Sequence, residues 1–542
     1  MKHSEAGLRP AVVLVADRTL SAQYRVLLEG MFATMQTTDV PAALMRRLIS
    51  PPMPADRAGR AWAAPVGLRR VEAALLGRTS LTAAEVVCTT PESLGKLLGP
   101  WVKIVGVSSS DPLGRGMSNT TTENFQKGQL YTRTWMRQMM ETIVAAKRTY
   151  DFQVVAGGAG AWQYVLDGDE AQRQGIDVVF EGYFESLGPQ LFMDILSGKD
   201  VGSQVRASGT AADDIEPIRG PSLLGVVELS RGCGNGCGFC TMAGVKMAHV
   251  PAEMILADLE TNVAGGINSV VSGSEDIFRY GGSGSAVNFE NLHALLSRMK
   301  EIGSLSFMQI DHANLSSVLQ LSLDQLREIR RLLTWGKASR YLWVNMGIES
   351  ASGSLVLANS PGKMGPFGAE DWEAMVVEGA ERMTAAGFFC VFSVILGLPG
   401  ETPDDVERTL KLVERLADRP VAVFPIFYEP LPENGVVRQE RFDLSRMRQD
   451  HLRLYTTCYE INFASVPRLL WDNQRAAGVG WSKRMLMQML GRVEVRSWRR
   501  AFARVAKQID EGGSGARPVR PGRSEDLAAV SQVEQTEVGN LS

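Results

Sequence analysis

Cysteine is scarce in this chain, with six among 542 residues. Three crowd into one loop, and Cys88, Cys390 and Cys458 stand singly. That is not a disulfide framework, which needs paired cysteines at regular spacings. Long apolar runs are also lacking. No stretch of about twenty apolar residues occurs, so no membrane-spanning helix is expected. Near the start, the apolar run at residues 11–15 is too short and too soon interrupted for a signal peptide. An excess of one charge is missing as well, with 57 basic residues against 60 acidic ones and a net charge of −3. Such a balance gives no reason to expect nucleic acid or an anionic membrane as a partner. Hydrophobic residues make up 45% and charged residues 22%. That is an ordinary globular composition, and the length suggests about three domains. A reducing cytoplasm fits the cysteine usage.

The three crowded thiols are Cys233, Cys237 and Cys240, spaced C-x3-C-x2-C. Gly232, Gly234, Gly236 and Gly238 sit between and around them. Glycine tolerates positive φ, so such a loop can fold back and aim three thiolates at one region. Soft thiolates select an iron–sulfur cluster, zinc or copper(I). A structural zinc site wants a fourth Cys or His. The nearest His downstream is His249, and no fourth Cys follows in the loop. A cubane on three thiolates keeps one iron open for another ligand. A zinc knot is the competing reading.

Before this loop, short apolar strands alternate with helical stretches. Residues 11–15, 102–108, 152–156 and 176–181 read as strands, and 21–35, 65–76, 132–148 and 185–197 as helices. Residues 36–64 read as irregular, broken by Pro51, Pro52 and Pro54. The alternation predicts a parallel, doubly wound α/β sheet with its ligand beyond the carboxyl ends of the strands. Turns rich in Gly and Ser collect there: Ser108 to Gly114, Gly157 to Trp162, and Glu181 to Glu185. Taken alone, Gly157-Gly158-Ala159-Gly160 is a weak phosphate-loop signal or simply a tight turn. Residues 198–221 read as a polar, Gly-rich linker.

After it, six strand–helix units are expected. The strands are 223–230, 267–272, 306–311, 341–347, 388–396 and 421–427, and the helices are 251–264, 287–301, 322–335, 369–386 and 403–417. Chemistry in a parallel barrel belongs at the carboxyl ends of its strands. Polar residues fall there: Ser274, Glu275 and Asp276; Asp311 and His312; Glu349 and Ser350; Gly397 to Glu401; and Glu429. Residues 436–507 read as helical, with Trp471, Trp481 and Trp498 expected in the core. The chain from 511 turns Gly/Ser/Pro-rich and then acidic, the composition of a disordered tail.

The C-x3-C-x2-C loop resembles the cluster loop of the radical SAM superfamily. The turns of the first sheet resemble the cobalamin-binding domain that precedes some radical SAM domains. Together they resemble the cobalamin-binding radical SAM methyltransferases, including the phosphinothricin-type P-methyltransferases and the tryptophan 2-C-methyltransferases, over residues 10–430. The resemblance implies a cobalamin-binding domain at 1–215, a partial (β/α)6 barrel at 216–435, a helical region at 436–510 and a tail at 511–542. It implies a [4Fe–4S] cluster on Cys233, Cys237 and Cys240, with S-adenosylmethionine on the open iron and against Ser274, Glu349 and Ser350. Cobalamin would lie against Ser108, Asp111, Gly114, Gly157, Gly158, Glu181 and Gly182. One departure is that no lower axial His is available, since His3 is the only His before residue 215. Arg69 is then the candidate for the lower cobalt face, against Arg70 or a plain exposed helix Arg. Glu275 either binds the methionine amino group or ligates the open iron. His312 either acts as a base near substrate or is structural.

The implied reaction moves a methyl group from S-adenosylmethionine through methylcobalamin to a poor nucleophile. An external electron donor of flavodoxin or ferredoxin type would feed the cluster. Relatives include a polar variant without a radical step, which suits Glu275 as an iron ligand. The acceptor would be an antibiotic-pathway small molecule. A phosphinate phosphorus is favoured over tryptophan C2, since no Tyr lies between Tyr280 and Tyr341 to serve as a base for the indole N–H. Ring cyclisation without methylation and a non-catalytic cobalamin- or oxygen-sensing module are alternatives. A tRNA methylthiotransferase would need a second cysteine cluster before residue 215, where Cys88 stands alone.

Overall fold

A computed structural model describes residues 8–512 apart from 36, 39, 243, 304, 306, 335–341 and 432–438. Two parallel α/β units and a helical region follow one another along the chain. The first unit is a six-stranded sheet: β1 Val12–Ala16, β2 Val86–Thr89, β3 Ile104–Ser108, β4 Gln153–Gly157, β5 Val178–Glu181 and β6 Gln204–Arg206. Their order is β2-β1-β3-β4-β5-β6, and all pairs are parallel. The order reverses at β1, so the crevice beyond β1 and β3 is the switch point where such sheets hold ligands.

Alternation along these strands sorts the side chains onto two faces. Val13, Val15, Val105, Val107 and Val154 pack with Met136, Met140 and Ile143 of the helix Tyr131–Lys147. Val12, Leu14, Ile104, Val155 and Val178 pack with Leu68 and Leu75 of the helix Val66–Arg78 and Phe192 of the helix Phe184–Leu196. Both faces are covered, which is what doubly wound means. Strand β2 and the helix Met117–Phe125 were absent from the expected elements. The expected helix over 21–35 splits into a turn at Arg18–Ser21 and a helix at Leu27–Met35. Within 36–64 one π turn forms at Met45–Ile49. The stretch expected as a linker contributes β6 to the sheet.

The second unit carries β7 Val226–Glu228, β8 Val270–Gly273, β9 Met308–Gln309, β10 Leu342–Glu349, β11 Phe388–Leu396 and β12 Val421–Phe427. Strands β7, β8 and β9 form one parallel trio, and β10, β11 and β12 another. Asn345 joins them, donating its N–H to Asp311 and accepting from the N–H of Ala313, both at 3.0 Å. The result is an open barrel in sequence order. Tyr341, expected to begin the fourth of these strands, lies outside the described residues. One strand face packs Val344, Phe392 and Val423 against Trp372, Val376 and Leu410 of the barrel helices. The other packs Trp343, Phe389 and Ala422 against Leu469, on the helix Gln449–Ala476.

A last helix runs from Trp481 to Gly512, so the tail expected from 511 begins inside it and otherwise lies outside the described residues. Trp498 is core, its ring tilted against Phe125, Tyr459 and Phe502. Trp471 lies under the Arg484 guanidinium. Trp481 departs from expectation and is 65% exposed.

Candidate active site

The site grows from the loop between β7 and the helix Ala252–Ala264. Ser230–Arg231 pairs antiparallel with Ala248–His249 and closes the loop at its stem. Gly232, Gly234 and Gly236 take φ of +72°, +69° and +67°, which only glycine adopts freely. Three ties hold the loop from outside. Arg279 donates to the Cys233 carbonyl at 2.7 Å. Gly238 N–H donates to the Asn359 carbonyl at 3.0 Å, and Gly362 N–H to the Asn235 carbonyl at 2.8 Å. All three thiols are free; Cys233 and Cys237 are buried and Cys240 is half-buried.

Burial pushes the Cys233 thiol up and the Cys240 thiol up to about 11, with the neighbouring thiols and Glu275 adding to it. The sulfurs therefore share one electrostatic environment. Among the described residues no three Cys, His, Asp or Glu side chains meet closely enough to grip a single metal ion. A cubane asks for something else, because each thiolate attaches to its own iron. His249 is held apart from the thiol end of the loop, at the stem, where its Nε2 lies 3.0 Å from the Gly282 carbonyl and its ring stands edge-on to Tyr280.

The expected strand-end residues of the barrel largely converge on this loop. Ser274 Oγ lies 2.6 Å from Ser230 Oγ, on the stem. Glu275 is half-buried, and its charge is felt by Cys233, Cys240 and His312. Asp276 is buried and binds Arg279 at 2.9 Å and Ser317 at 2.6 Å, so it orients the arginine that holds Cys233. His312 Nδ1 lies 3.2 Å from Asp311 Oδ2. Burial pulls the imidazole down, but Asp311 outweighs it and Glu275 adds to the rise, holding His312 at about 9. The ring is walled in by the strand ends, yet 44% of its side chain stays open to solvent in the barrel mouth.

Glu349 ends β10 at φ +57°, a strained value for a residue other than glycine. Its carboxylate pairs with Lys363, which is buried and also feels Cys237 and Cys240. Lys363 was missed by the sequence reading. It sits in a loop that no local pattern marks. Ser350 does not face a ligand space: its hydroxyl lies 3.1 Å from Thr409 Oγ1 and accepts from Ser352 N–H. Glu401 accepts from Gly397 N–H and lies 2.9 Å from His451 Nε2. Those residues line a cavity of about 360 Å³ with Phe442 and Arg448.

The carboxyl edge of the first sheet is built differently. A Cβ on Gly158, at φ +90°, would sit 2.6 Å from Ser108 Oγ, so the two strand ends approach as closely as glycine allows. Gly157 has ordinary room beside the Phe180 carbonyl, whereas a Cβ on Gly114 would strike Leu130 and one on Gly182 the Ala207 carbonyl. Asp17, just beyond β1, is fully buried, and its carboxylate accepts from the Thr19 N–H at 2.8 Å and is met by the Ser109 hydroxyl. The Asp111 carboxylate accepts from Arg115 N–H, Gly116 N–H, Gln163 and Asn119 and so shapes its own turn. Glu181 is half-buried, with Arg206 3.8 Å away.

Arg69 is bound within the protein. Its guanidinium donates to Glu72 at 2.8 Å and to the carbonyls of Pro221, Ala61 and Trp62. Those bonds tie the helix to the segment before it and to the end of the chain that leaves the sheet. Arg70 binds Glu228 and Asp258 of the barrel unit.

Residues 227–413 match the radical SAM superfamily. This segment is a radical SAM domain. Similarity to curated proteins runs through methylthiotransferases. The threonylcarbamoyladenosine tRNA methylthiotransferase of Danio rerio is 26% identical over 46% of this chain and 43% of its own length. The ribosomal protein uS12 methylthiotransferase RimO of Trichlorobacter lovleyi is 24% identical over 50% of this chain and 57% of its own. The chain thus spans about two fifths to a little over half of these relatives' length. Among solved structures, the radical S-adenosylmethionine methyltransferase TsrM from Kitasatospora setae, with cobalamin and a [4Fe–4S] cluster bound, aligns with a TM-score of 0.49 at 15% identity, covering 77% of this chain and 72% of that one.

A radical SAM domain implies a [4Fe–4S] cluster and S-adenosylmethionine. The residues fit. Three free thiols line one glycine-hinged loop, and the Lys363 cation offsets thiolate charge beside it. Both carboxyl edges also meet. Tyr183, just beyond β5, stacks under the Arg231 guanidinium at 4.3 Å. Thr121, on the helix Met117–Phe125, accepts from Phe427 N–H at 2.7 Å at the end of β12.

Proposed function

We propose that this protein is a cobalamin-dependent radical SAM methyltransferase, moving a methyl group from S-adenosylmethionine by way of cobalamin to a poorly nucleophilic centre. One observation carries the reading. The carboxyl edge of a doubly wound sheet is tied to the carboxyl edge of a radical SAM barrel, through Tyr183 on one side and Thr121 on the other. A methyl relay needs two cofactor sites that open toward each other. The close approach at Gly158, Gly114 and Gly182 leaves a backbone-lined edge at the switch point. That is a fitting edge for a large cofactor held mainly by loop backbone. Bound there, cobalamin would carry the methyl group, and the cluster would pass an electron from an external flavodoxin or ferredoxin to S-adenosylmethionine.

The chain's own residues do the rest. Cys233, Cys237 and Cys240 hold the cluster. Glu275 faces the thiols and stands ready for the open iron or the methionine amino group. Lys363 keeps a positive charge beside the cluster, and Glu349 holds it in place. Phosphinate phosphorus in an antibiotic-pathway intermediate is the acceptor we favour over tryptophan C2. His312 is held at about 9 by Asp311, so it is cationic at neutral pH. A cation in the barrel mouth attracts an anionic phosphinate and is unsuited to take a proton from an indole. A methylthiotransferase reading lacks its second cluster, since Cys88 is the only cysteine before Cys233 and lies in the sheet core.

The test is anaerobic reconstitution followed by assay. About four irons and one cobalamin per chain are expected. With S-adenosylmethionine and an electron donor, a phosphinate substrate should gain the mass of one methyl group. Iron without cobalamin would defeat the relay. A methylated tryptophan with an untouched phosphinate would replace the acceptor.

A further inference from the structure

The stem of the cysteine loop is held by a residue of the other unit. Arg231 lies two positions before Cys233 and is 3% exposed. Its Nη2 donates to Glu185 at 2.7 Å and to Glu228 at 3.0 Å. Its Nη1 donates to the Thr210 carbonyl at 3.1 Å, and Tyr183 stacks beneath it. The Tyr183 hydroxyl lies against the N–H of Gly232, the first hinge of the loop. Glu185, Tyr183 and Thr210 precede the barrel, and all three act on the stem.

The network continues away from the loop. Arg70 of the first unit binds the same Glu228 and reaches Asp258 on the helix Ala252–Ala264. Burial pushes Glu228 up, but Arg231 and Arg70 outweigh it and hold its carboxyl at about 2. Two arginines and three carboxylates thus alternate across the seam. Ion pairs this well buried contribute little net stability compared with apolar packing, so a role in fixing geometry is the better account.

We propose that Glu185 is a positioning residue for the iron–sulfur cluster, acting through Arg231 to set the angle at which the loop leaves β7. The proposal rests on the reading that the three thiols hold a cluster. The loop itself is hinged on glycines and has little stiffness of its own. An anchor at the stem therefore fixes how the thiolates are presented, as outer partners orient metal ligands elsewhere. Tyr183 assists by filling the face of the guanidinium. Tyr183 caps and Glu185 opens the helix Phe184–Leu196 that follows the turn at Glu181 and Gly182, so the first sheet's edge and the cysteine loop share one short segment.

The experiment compares full-length wild type, E185A, E185Q, Y183L and W62F after anaerobic reconstitution. W62F removes the Trp62 bond to the Gly265 carbonyl, which also links the units but lies away from the thiols. Iron per chain, the rate of iron release to a ferrous chelator and the electron paramagnetic resonance spectrum of the reduced cluster are read. E185A should release iron about tenfold faster, with shifted g values. The amide of E185Q can still accept from Arg231, so it should restore most of the wild-type spectrum. W62F should match wild type. Arg231 keeps Glu228 in E185A, so no buried cation is stranded. If E185A nevertheless fails to fold, Y183L carries the same test, with release about threefold faster expected. Release within twofold of wild type and an unchanged spectrum in the folded variant overturn the proposal. Wild type that binds no iron defeats the reading of the thiols instead.

Discussion

The two carboxyl edges that face each other use their polar residues in different proportions, with buried charge pairs more prominent on the barrel. On the first sheet, Asp111 turns inward and accepts from backbone N–H groups and amide side chains. The loops are shaped by close backbone approach, as at Gly158 and Gly160. On the barrel, charges pair with charges: Asp311 with His312, Glu349 with Lys363, Asp276 with Arg279. A backbone-lined edge grips a bulky cofactor by shape. An edge of paired charges holds reactive groups in fixed protonation states. Under the proposed function, the first unit carries and the second reacts.

The largest expected effect breaks the reacting edge outright. The variant C233A/C237A/C240A should lose all iron and all turnover while keeping bound cobalamin. Loss of cobalamin as well would show that the edges do not act separately. Next comes K363M. It strands the Glu349 carboxylate, whose side chain is 4% exposed, without its cation. Breaking such a pair costs about 3–5 kcal/mol. A drop of several degrees in the midpoint of thermal unfolding is expected, with partial rescue by K363M/E349Q. An unchanged midpoint would mean that the pair is dispensable.

Much of the reacting edge was legible in the chain. The C-x3-C-x2-C spacing marks the loop, and each buried apolar strand ends in its polar residues within two or three positions of where the structure puts them. Lys363 was not, because its partners arrive by tertiary folding: Glu349 is 14 residues away and the thiols belong to another loop. Glu185 lies 46 residues from Arg231 and carries no local signal either. On the carrying edge, the helix Met117–Phe125 reads as a poor helix, with Ser118, Asn119 and three threonines. Its Thr120 and Thr121 hydroxyls turn back on the Met117 carbonyl. Phe125 stacks on Tyr455 in the core, and such packing overrides propensity. Strand β2 was missed for a simpler reason: four buried residues give no alternation to read. Arg69 shows the converse risk. Its position near the start of a helix was read correctly, but its bonds to the Ala61 and Trp62 carbonyls and, 152 residues away, to the Pro221 carbonyl follow from the folded path of the chain.

A smaller effect should fall on the carrying edge alone. G158A places a Cβ 2.6 Å from Ser108 Oγ and 3.0 Å from the Ser109 carbonyl, at φ +90°. Strain of about 1–3 kcal/mol is expected there. Cobalamin per chain should fall while iron per chain stays at the wild-type level. If iron falls in step, the shape of one edge is transmitted to the other, and the contrast between carrying and reacting units is too sharp.

The smallest effect is a slope in stability with pH. His312 is held at about 9 in the folded protein, against about 6.5 in an unfolded chain. The folded state therefore binds the extra proton between these values, and stability must fall as pH rises across them. The contribution is complete below about pH 6.5 and gone above about pH 9. The side chain is 44% exposed, so solvent screening reduces it to about 1 kcal/mol. Unfolding free energies from denaturant titrations at pH 6.5 and pH 9 should differ by that amount more in wild type than in H312N. An equal slope in the variant would free His312 from Asp311. The barrel edge would then lose the fixed cation that sets it apart from the sheet edge and suits it to an anionic acceptor.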